Sequence, residues 1–318
     1  MSENYKMTSL RQKQSLPLEG KIILTQQRIR EWYDHWEGQV CVSFSGGKDS
    51  TVLKHLVETT SGVDDVPSVF VNTGLEFPEI QKFAMSQPNV ITVRPEMRFD
   101  KVIETYGYPV ASKNISDMID AYQRGAQWVI PYVKGMAIDR NGSPSRYNLA
   151  KRWQCLLDAP FRVSNECCAI MKKKPLKQFQ KETGRKPFVG TLVEESQLRM
   201  NAYLNQGCNA YDAKDPKSQP MSFWTEQDVL EYILKYNLDY ATIYGEIKRD
   251  ETGKLYTTGR DRTGCMFCMF GCHLEKAPNR FQRMKETHPR QYAYCMKSRE
   301  EGGLGLAEVL DYIGVDYE

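Results

Sequence analysis

The stretch "VSFSGGKDST" occupies Val42–Thr51, and its reading decides the fold. A short apolar run, "QVCVSFS", ends in Ser45-Gly46-Gly47, and "DSTVLKHLVETT" then continues with apolar residues at helical spacing. A continuous apolar run of that length predicts a buried parallel strand. A strand that passes through glycines into a helix aims backbone N–H groups and a helix N-terminus at one point, which suits a phosphate. Gly46 and Gly47 permit close backbone approach, Lys48 adds a point charge, and Ser50 and Thr51 add hydroxyl donors. Asp49 is out of place beside an anion unless it caps the helix or meets a metal ion. The spacing is neither GxxxxGKS nor GxGxxG, so the loop is neither of those phosphate motifs. The bland alternative is a glycine turn between strand and helix.

The chain around this loop has 318 residues, 41% of them hydrophobic and 26% charged, enough for a buried core. Its 43 basic and 40 acidic side chains leave a formal charge of +3, so net charge makes no case for nucleic acid. No apolar stretch approaches the ~20 residues of a membrane span, and "MSENYKMTSLRQKQ" lacks a signal-peptide core, so a cytoplasmic location is expected. Nine cysteines, clustered in a chain without a leader, point to metal ligation rather than disulfides.

Strand-like "VPSVFVNTG" and "NVITVRP" alternate with helical "EFPEIQKFAMSQ", the pattern of an α/β, doubly wound parallel sheet. The segment "GAQWVIPYVKGMAIDRNGSPSRYNLAKRW" predicts a long irregular insertion, "RKPFVGTL" a strand, and "MKKKPLKQFQKETG" and "EESQLRMNAYL" helices. In "WTEQDVLEYILKY", Thr225 stands where it caps a helix with Asp228 three residues on. "GLAEVLDYIGV" predicts a short closing helix. The expected division is a loose polar segment over 1–20, a nucleotide-binding domain over 21–245, and a cysteine-rich C-terminal extension over 246–318.

The SGGKDS core of the loop resembles the PP-loop, SGGxDS, of the adenine-nucleotide α-hydrolase superfamily. That resemblance implies a grip by residues Ser45 to Thr51 on the β,γ-pyrophosphate of ATP or on the equivalent anionic group of a related nucleotide. "VFVNTGLEFPE" is similar to a second signature of the superfamily, which implies Asn72 and Thr73 beside the nucleotide at the carboxyl end of the second strand.

Adjacent Cys167 and Cys168 in "ECCAIMKKKPL" precede "GCMFCMFGC", with Cys265, Cys268 and Cys272, by almost a hundred residues. A CxxC suits zinc or an iron–sulfur cluster, whereas neighbouring cysteines more readily ligate two irons of one cluster than a single zinc ion. The pattern CC…KxxPL…CxxC, with "WTEQDVLEYI" ahead of the second pair, resembles assimilatory adenosine-phosphosulfate reductases over about residues 38 to 272. The resemblance implies a 4Fe-4S cluster on Cys167, Cys168, Cys265 and Cys268, with Lys172 as the basic residue near it. Cys272 is an alternative ligand, and His273 beside it a further candidate. Cys155 and Cys208 are expected to be ordinary buried thiols, and Cys41 a core residue.

The chain departs from that pattern in two places. Sulfonucleotide reductases carry G-x-R-R-E-Q-S-x-x-R; "GTLVEESQLR" keeps Gly190, Glu194, Ser196 and Arg199 but has Leu192 and Val193 in place of two arginines. Aliphatic chains supply none of the bidentate grip that guanidinium gives an oxyanion. The reductases' late E-C-G-x-H segment is missing too, and Cys295 in "YAYCMKSREEGG" is the one late cysteine. What is left resembles the branch that cleaves ATP to AMP and pyrophosphate while sulfur replaces an activated oxygen, with Lys48, Asp49 and Arg199 as catalytic candidates and Mg²⁺ accompanying the nucleotide. The sulfur acceptor would be a nucleic acid or a partner protein. Lysines in "MKKKPLKQFQK" and arginines among aromatics in "RFQRMKETHPRQYAY" give local support to the former, although a solvated helix face explains such a run equally well. A true adenosine-phosphosulfate reductase is the enzymatic alternative, and a nucleotide- and cluster-dependent binding switch the non-enzymatic one.

Overall fold

A computed structural model describes residues 3–318. Two compact units emerge, each assembled from two stretches of chain: Met1–Arg94 with Pro175–Thr263, and Pro95–Lys174 with Gly264–Glu318.

The first unit is built on a six-stranded sheet. In chain order its strands are β1 (Val40–Phe44), β2 (Ser68–Val71) and β3 (Val90–Val93), then, after β4 (Val110–Ala111) of the other unit, β5 (Lys186–Val189), β6 (Asn209–Ala210) and β7 (Lys217–Ser218). Their spatial order is β3-β2-β1-β5-β7-β6, parallel throughout except for the β6 edge. β1 pairs with β2 on one side and β5 on the other, bringing Val42 opposite both Ser68 and Phe188. Chain order therefore reverses at β1, and in an open α/β sheet the crevice at the strand's carboxyl end at such a reversal is where ligands bind. The loop after β1 opens into it. The α/β fold with a mainly parallel sheet expected from the sequence is thus present, and β1 is buried along Val40, Cys41, Val42 and Phe44 because both faces are covered.

Helices supply that cover. α1 (Glu3–Gln14) and α2 (Leu18–His35) precede β1, and α3 (Lys48–Glu58) and α4 (Pro78–Ser86) follow β1 and β2. α2 buries Leu18, Ile22, Thr25, Ile29 and Trp32, a spacing of three and four that keeps one stripe inward. These join Val52, Leu53, Leu56 and Val57 of α3 and Trp224, Val229 and Ile233 farther along the chain in one core. The loose segment expected over residues 1–20 is corrected here. Its polar composition hides Leu10, which is buried in this same core, so Glu3–Gln14 is helical.

The second unit holds α5 (Phe99–Tyr106), α6 (Lys113–Gln123) and the one-turn α7 (Ile130–Val133). α8 (Lys174–Thr183), α9 (Gln197–Gln206) and α10 (Glu226–Tyr236) lie in the stretch that returns to the first unit, apart from Lys174. A two-stranded hairpin, β8 (Ile247–Arg249) with β9 (Leu255–Thr257), follows α10. β10 (Met269–Phe270), α11 (Arg280–Thr287), α12 (Pro289–Met296) and α13 (Leu306–Tyr312) complete the second unit. β10 pairs in parallel with β4, Met269 opposite Val110. This pairing is why the division differs from the expected one at residue 246: the insertion after Arg94 and the chain after Thr263 build one unit together, while 246–263 stays with the sheet. The irregular segment between α6 and the first cysteines is found as expected, broken only by short turns such as Lys151–Asp158. No helix among the described residues is long and apolar enough to cross a membrane.

The capping box at Thr225 and Asp228 is present, and Asp228 does more than cap. Lys21 Nζ donates to both its carboxylate oxygens, at 2.7 and 2.6 Å, with only 3% of the lysine and 11% of the aspartate side chain exposed. Replacing one member of a buried pair strands the other's charge, which costs about 3–5 kcal/mol. Asp228→Ala is therefore expected to lower unfolding free energy by about 3–5 kcal/mol in urea titrations, and adding Lys21→Met to recover much of that loss. A single variant no less stable than the parent would contradict the role given to the pair.

Candidate functional site

The loop between β1 and α3 is shaped from within. Gly46 has φ +73°, and a Cβ there would lie 3.0 Å from Ile80 Cγ2 and 3.1 Å from Ala84 Cβ. Both contacts belong to α4, so this glycine answers to backbone conformation and helix packing. Gly47, at φ −80°, is the N-cap of α3 and faces Ser45 Oγ and Tyr244 Oη, each 3.2 Å from a built Cβ. Ser50 and Thr51 are both buried and donate to the Gly47 carbonyl at 2.9 and 3.0 Å. Their hydroxyls thus fasten the first turn of α3, and Ser50 Oγ also accepts from Ser45 N at 3.2 Å. Gly190, just past β5, lets the sheet approach α3: a Cβ would come within 3.0 Å of the Asp49 carbonyl.

Charges surround this turn. Lys48 Nζ is 3.0 Å from Glu226 Oε1 and 5.1 Å from the centre of the Tyr244 ring. Burial pushes the Asp49 carboxyl up, opposed by Lys48, reinforced by Glu226, and opposed again by Arg262 and Arg199. Lys48 and Arg199 thus both lie near Asp49. Arg199 forms an ion pair with Glu195, whose other oxygen is 3.8 Å from Arg262. Glu194 and Ser196 serve as caps: Glu194 accepts from Glu226 N at 2.6 Å, and Ser196 Oγ from Arg199 N at 3.3 Å. Asn72 and Thr73 form a turn of their own at the end of β2, where Glu76 accepts from Thr73 N at 3.1 Å and from Thr73 Oγ1 at 2.7 Å. Leu192 and Val193, each 2% exposed, are part of the hydrophobic core.

Tyr244, Glu226, Arg262 and Thr263 are site residues that the motif does not announce. They lie about two hundred residues downstream, outside the loop and the signatures read with it. Only Glu226, next to the recognised cap Thr225, sat in a stretch whose geometry could be foreseen.

In the second unit the two cysteine groups meet. The Cys167 thiol is pushed up by its hydrogen bond with Cys168, by burial, and by Cys168, Cys268 and Cys265 nearby. Cys168 is pushed down to about 6 by the hydrogen bond from Cys167, and further by Lys113, Lys172 and Lys173. Arg280 lies beside Cys268, donating to its carbonyl at 2.7 Å. Thiols linked to one another and ringed by cations are a donor set that fits a group bound by several thiolates. Among the described residues, no three or more His, Cys, Asp or Glu side chains are grouped as ligands of a metal ion. Cys272 is buried and pushed up to about 11, chiefly by burial. His273 packs its ring 4.7 Å from Trp153, and its Nδ1 is buried with no partner among the described residues. Cys41 and Cys208 are buried as expected, but Cys155 is exposed, because Trp153 and Leu156 take the inward positions of its short turn. In the lysine-rich run, Lys174 and Lys177 pair with Glu96 and Asp215 at 2.5 and 2.8 Å.

The phosphoadenosine phosphosulfate reductase domain matches residues 39–112 and 120–271. The chain belongs to the phosphoadenosine phosphosulfate reductase family. Members of this family are enzymes, the sulfonucleotide reductases among them. An adenosine 5'-phosphosulfate reductase of Bacillus velezensis is 23% identical over 69% of this chain and 73% of its own length. Two uncharacterized proteins of Methanocaldococcus jannaschii are 28% and 22% identical over 76% and 89% of this chain. The chain spans 38% and 53% of the length of those two relatives. A crystal structure of phosphoadenylyl-sulfate reductase from Candida auris, in a phosphate complex, is similar with a TM-score of 0.39 and 14% identity, over 76% of this chain and 98% of that one.

The two loop glycines are expected to respond differently to alanine. Gly46→Ala combines a left-handed backbone with crowding at α4 and should cost about 2 kcal/mol or more in urea unfolding. Gly47→Ala, extended and facing movable hydroxyls, should cost under about 1 kcal/mol. Equal losses would contradict this division of labour.

Proposed function

We propose that this member of the family binds ATP with its β,γ-phosphates on the turn from Ser45 to Thr51 and cleaves it to AMP and pyrophosphate, coupled to sulfur transfer. An acceptor hydroxyl attacks the α-phosphorus, pyrophosphate leaves, and a hydrosulfide-class donor then displaces AMP from the acceptor carbon, its sulfur replacing the oxygen. Backbone N–H groups at the start of α3 would meet the charge that develops on the leaving pyrophosphate. Lys48 would exchange its half-exposed partner Glu226 for phosphate, and Asp49 would supply a carboxylate to Mg²⁺ bound with the nucleotide. The acceptor is a nucleic acid or a partner protein. Arg146 over the exposed Tyr147 ring at 4.9 Å supports the first.

The observation that carries this reading is the burial of Leu192 and Val193 in the core. Aligned with the arginine pair of sulfonucleotide reductases, they neither reach a sulfate nor leave room for guanidinium. Cys295 agrees: it is fully buried and its thiol is pushed up to about 12 by burial, so it is no accessible nucleophile. The likeness to the B. velezensis enzyme favours the second reading, adenosine-phosphosulfate reduction.

We further propose a 4Fe-4S cluster on Cys167, Cys168, Cys265 and Cys268, with Cys272 as the alternative fourth ligand. Such a cluster supplies sulfur or electron chemistry, or holds the unit together, while Lys113, Lys172 and Arg280 offset the charge of its thiolates. Protein purified without oxygen is expected to be brown and to hold about four irons per chain. Serine at Cys168, Cys265 or Cys268 should bleach it, whereas zinc without sulfide in iron-replete preparations would refute the cluster.

Calorimetry distinguishes the two readings. Losing two guanidinium contacts costs roughly ten-fold or much more in affinity, so ATP with Mg²⁺ should bind more tightly than adenosine phosphosulfate. Tighter adenosine-phosphosulfate binding with thiol-dependent sulfite release would make the protein a reductase.

A further inference from the structure

The segment Gly259–Thr263 lies against the loop and is pinned at both ends. The N–H groups of Gly259 and Arg260 donate to the carbonyls of Tyr244 and Ile243 at 2.8 and 3.0 Å. Gly259 permits this because a Cβ there would collide with the Ile243 carbonyl. At the other end, Thr263 Oγ1 and Tyr244 Oη are 2.6 Å apart. Tyr244 is the residue that faces Gly47 and Lys48, so the segment is anchored to the wall of the phosphate turn. Arg262 stands between these anchors, its Nη1 3.8 Å from Glu195 Oε1, while Arg199 pairs with Glu195 Oε2. Glu195 is itself held, accepting from Leu192 N at 3.1 Å.

Two arginines thus share one carboxylate. Lys48 is matched by Glu226, while Arg199 and Arg262 face the single carboxylate of Glu195, with Asp49, whose carboxyl burial pushes up, as the neighbouring acid. Arg199 is pulled down chiefly by burial and further by the charge of Arg262, with Asp49 opposing; an anion bound between the two guanidiniums would favour their charged forms.

We propose that Arg262, paired with Arg199 across Glu195, grips the terminal phosphates of the nucleotide. The inference rests on the reading of the loop as a nucleotide site. It reaches past that reading by locating the anion grip in a residue outside every motif of the chain. Its guanidinium enters from the strap after β9, whereas at the end of β5 the core claims the side chains of Leu192 and Val193.

Calorimetric titration of wild type, Arg262→Ala and Thr263→Val with ATP, AMP, adenosine phosphosulfate and inorganic pyrophosphate tests this. The Arg262 side chain is 66% exposed, so its removal should leave the thermal melt unchanged. In Arg262→Ala, ATP and pyrophosphate affinity should fall about ten-fold or more while AMP affinity stays within two-fold. Thr263→Val, which releases one anchor, should show a smaller loss in the same direction. Unchanged ATP and pyrophosphate affinity in Arg262→Ala, or equal losses for ATP and AMP, would overturn the inference. If wild type prefers adenosine phosphosulfate and Arg262→Ala weakens it, the grip stands while the ATP reading fails. If wild type binds none of these ligands, both fall.

Discussion

Gly46 is the constraint on which the rest of the site depends. Its left-handed backbone, pressed against Ile80 and Ala84, lets β1 end and α3 begin without a gap at the point where the sheet reverses direction. Gly190 makes the matching approach from β5, so α3 is seated between two strands by two positions where a side chain would be crowded. Ser50 and Thr51 then close its first turn on the Gly47 carbonyl. A helix N-terminus held this way presents its N–H groups without reorganisation, which is what a preorganised anion site requires.

Much of this was legible in the residues, and the reason is local. A continuous apolar strand, two glycines and a helical run sit within ten positions, so period and turn chemistry agree at one place. The capping box at Thr225 and Asp228 was readable for the same reason. What each residue does there was less readable. The hydroxyls of Ser50 and Thr51 look like ligand donors in sequence but serve the helix in the fold, and Gly46 answers to α4. A donor type and a spacing do not say which of two nearby acceptors wins.

Arg262, Thr263 and Tyr244 were out of reach because their relation to the loop is purely tertiary. The strap that carries them is fixed by backbone bonds to residues 243 and 244, and no pattern in "GRDRTGC" signals that. The helix at Glu3–Gln14 was missed for a related reason: Leu10 finds its partners in a core distant in sequence. The unit boundaries follow the same rule, since the pairing of β4 with β10 joins residues more than 150 positions apart. By contrast, the replacement of two arginines by Leu192 and Val193 was visible at once. The fold adds that these side chains are core, which turns a missing motif into a physical statement about what the site can hold.

We propose that the turn from Ser45 to Thr51 grips a pyrophosphate group. A crystal structure with the non-cleavable analogue α,β-methylene-ATP tests it most directly. The β,γ-phosphates are expected against the backbone N–H groups at the start of α3, with Lys48 turned from Glu226 toward them and Arg262 and Arg199 on the terminal oxygens. Phosphates bound away from that turn, or an analogue seated there with its phosphates in solvent, would contradict it.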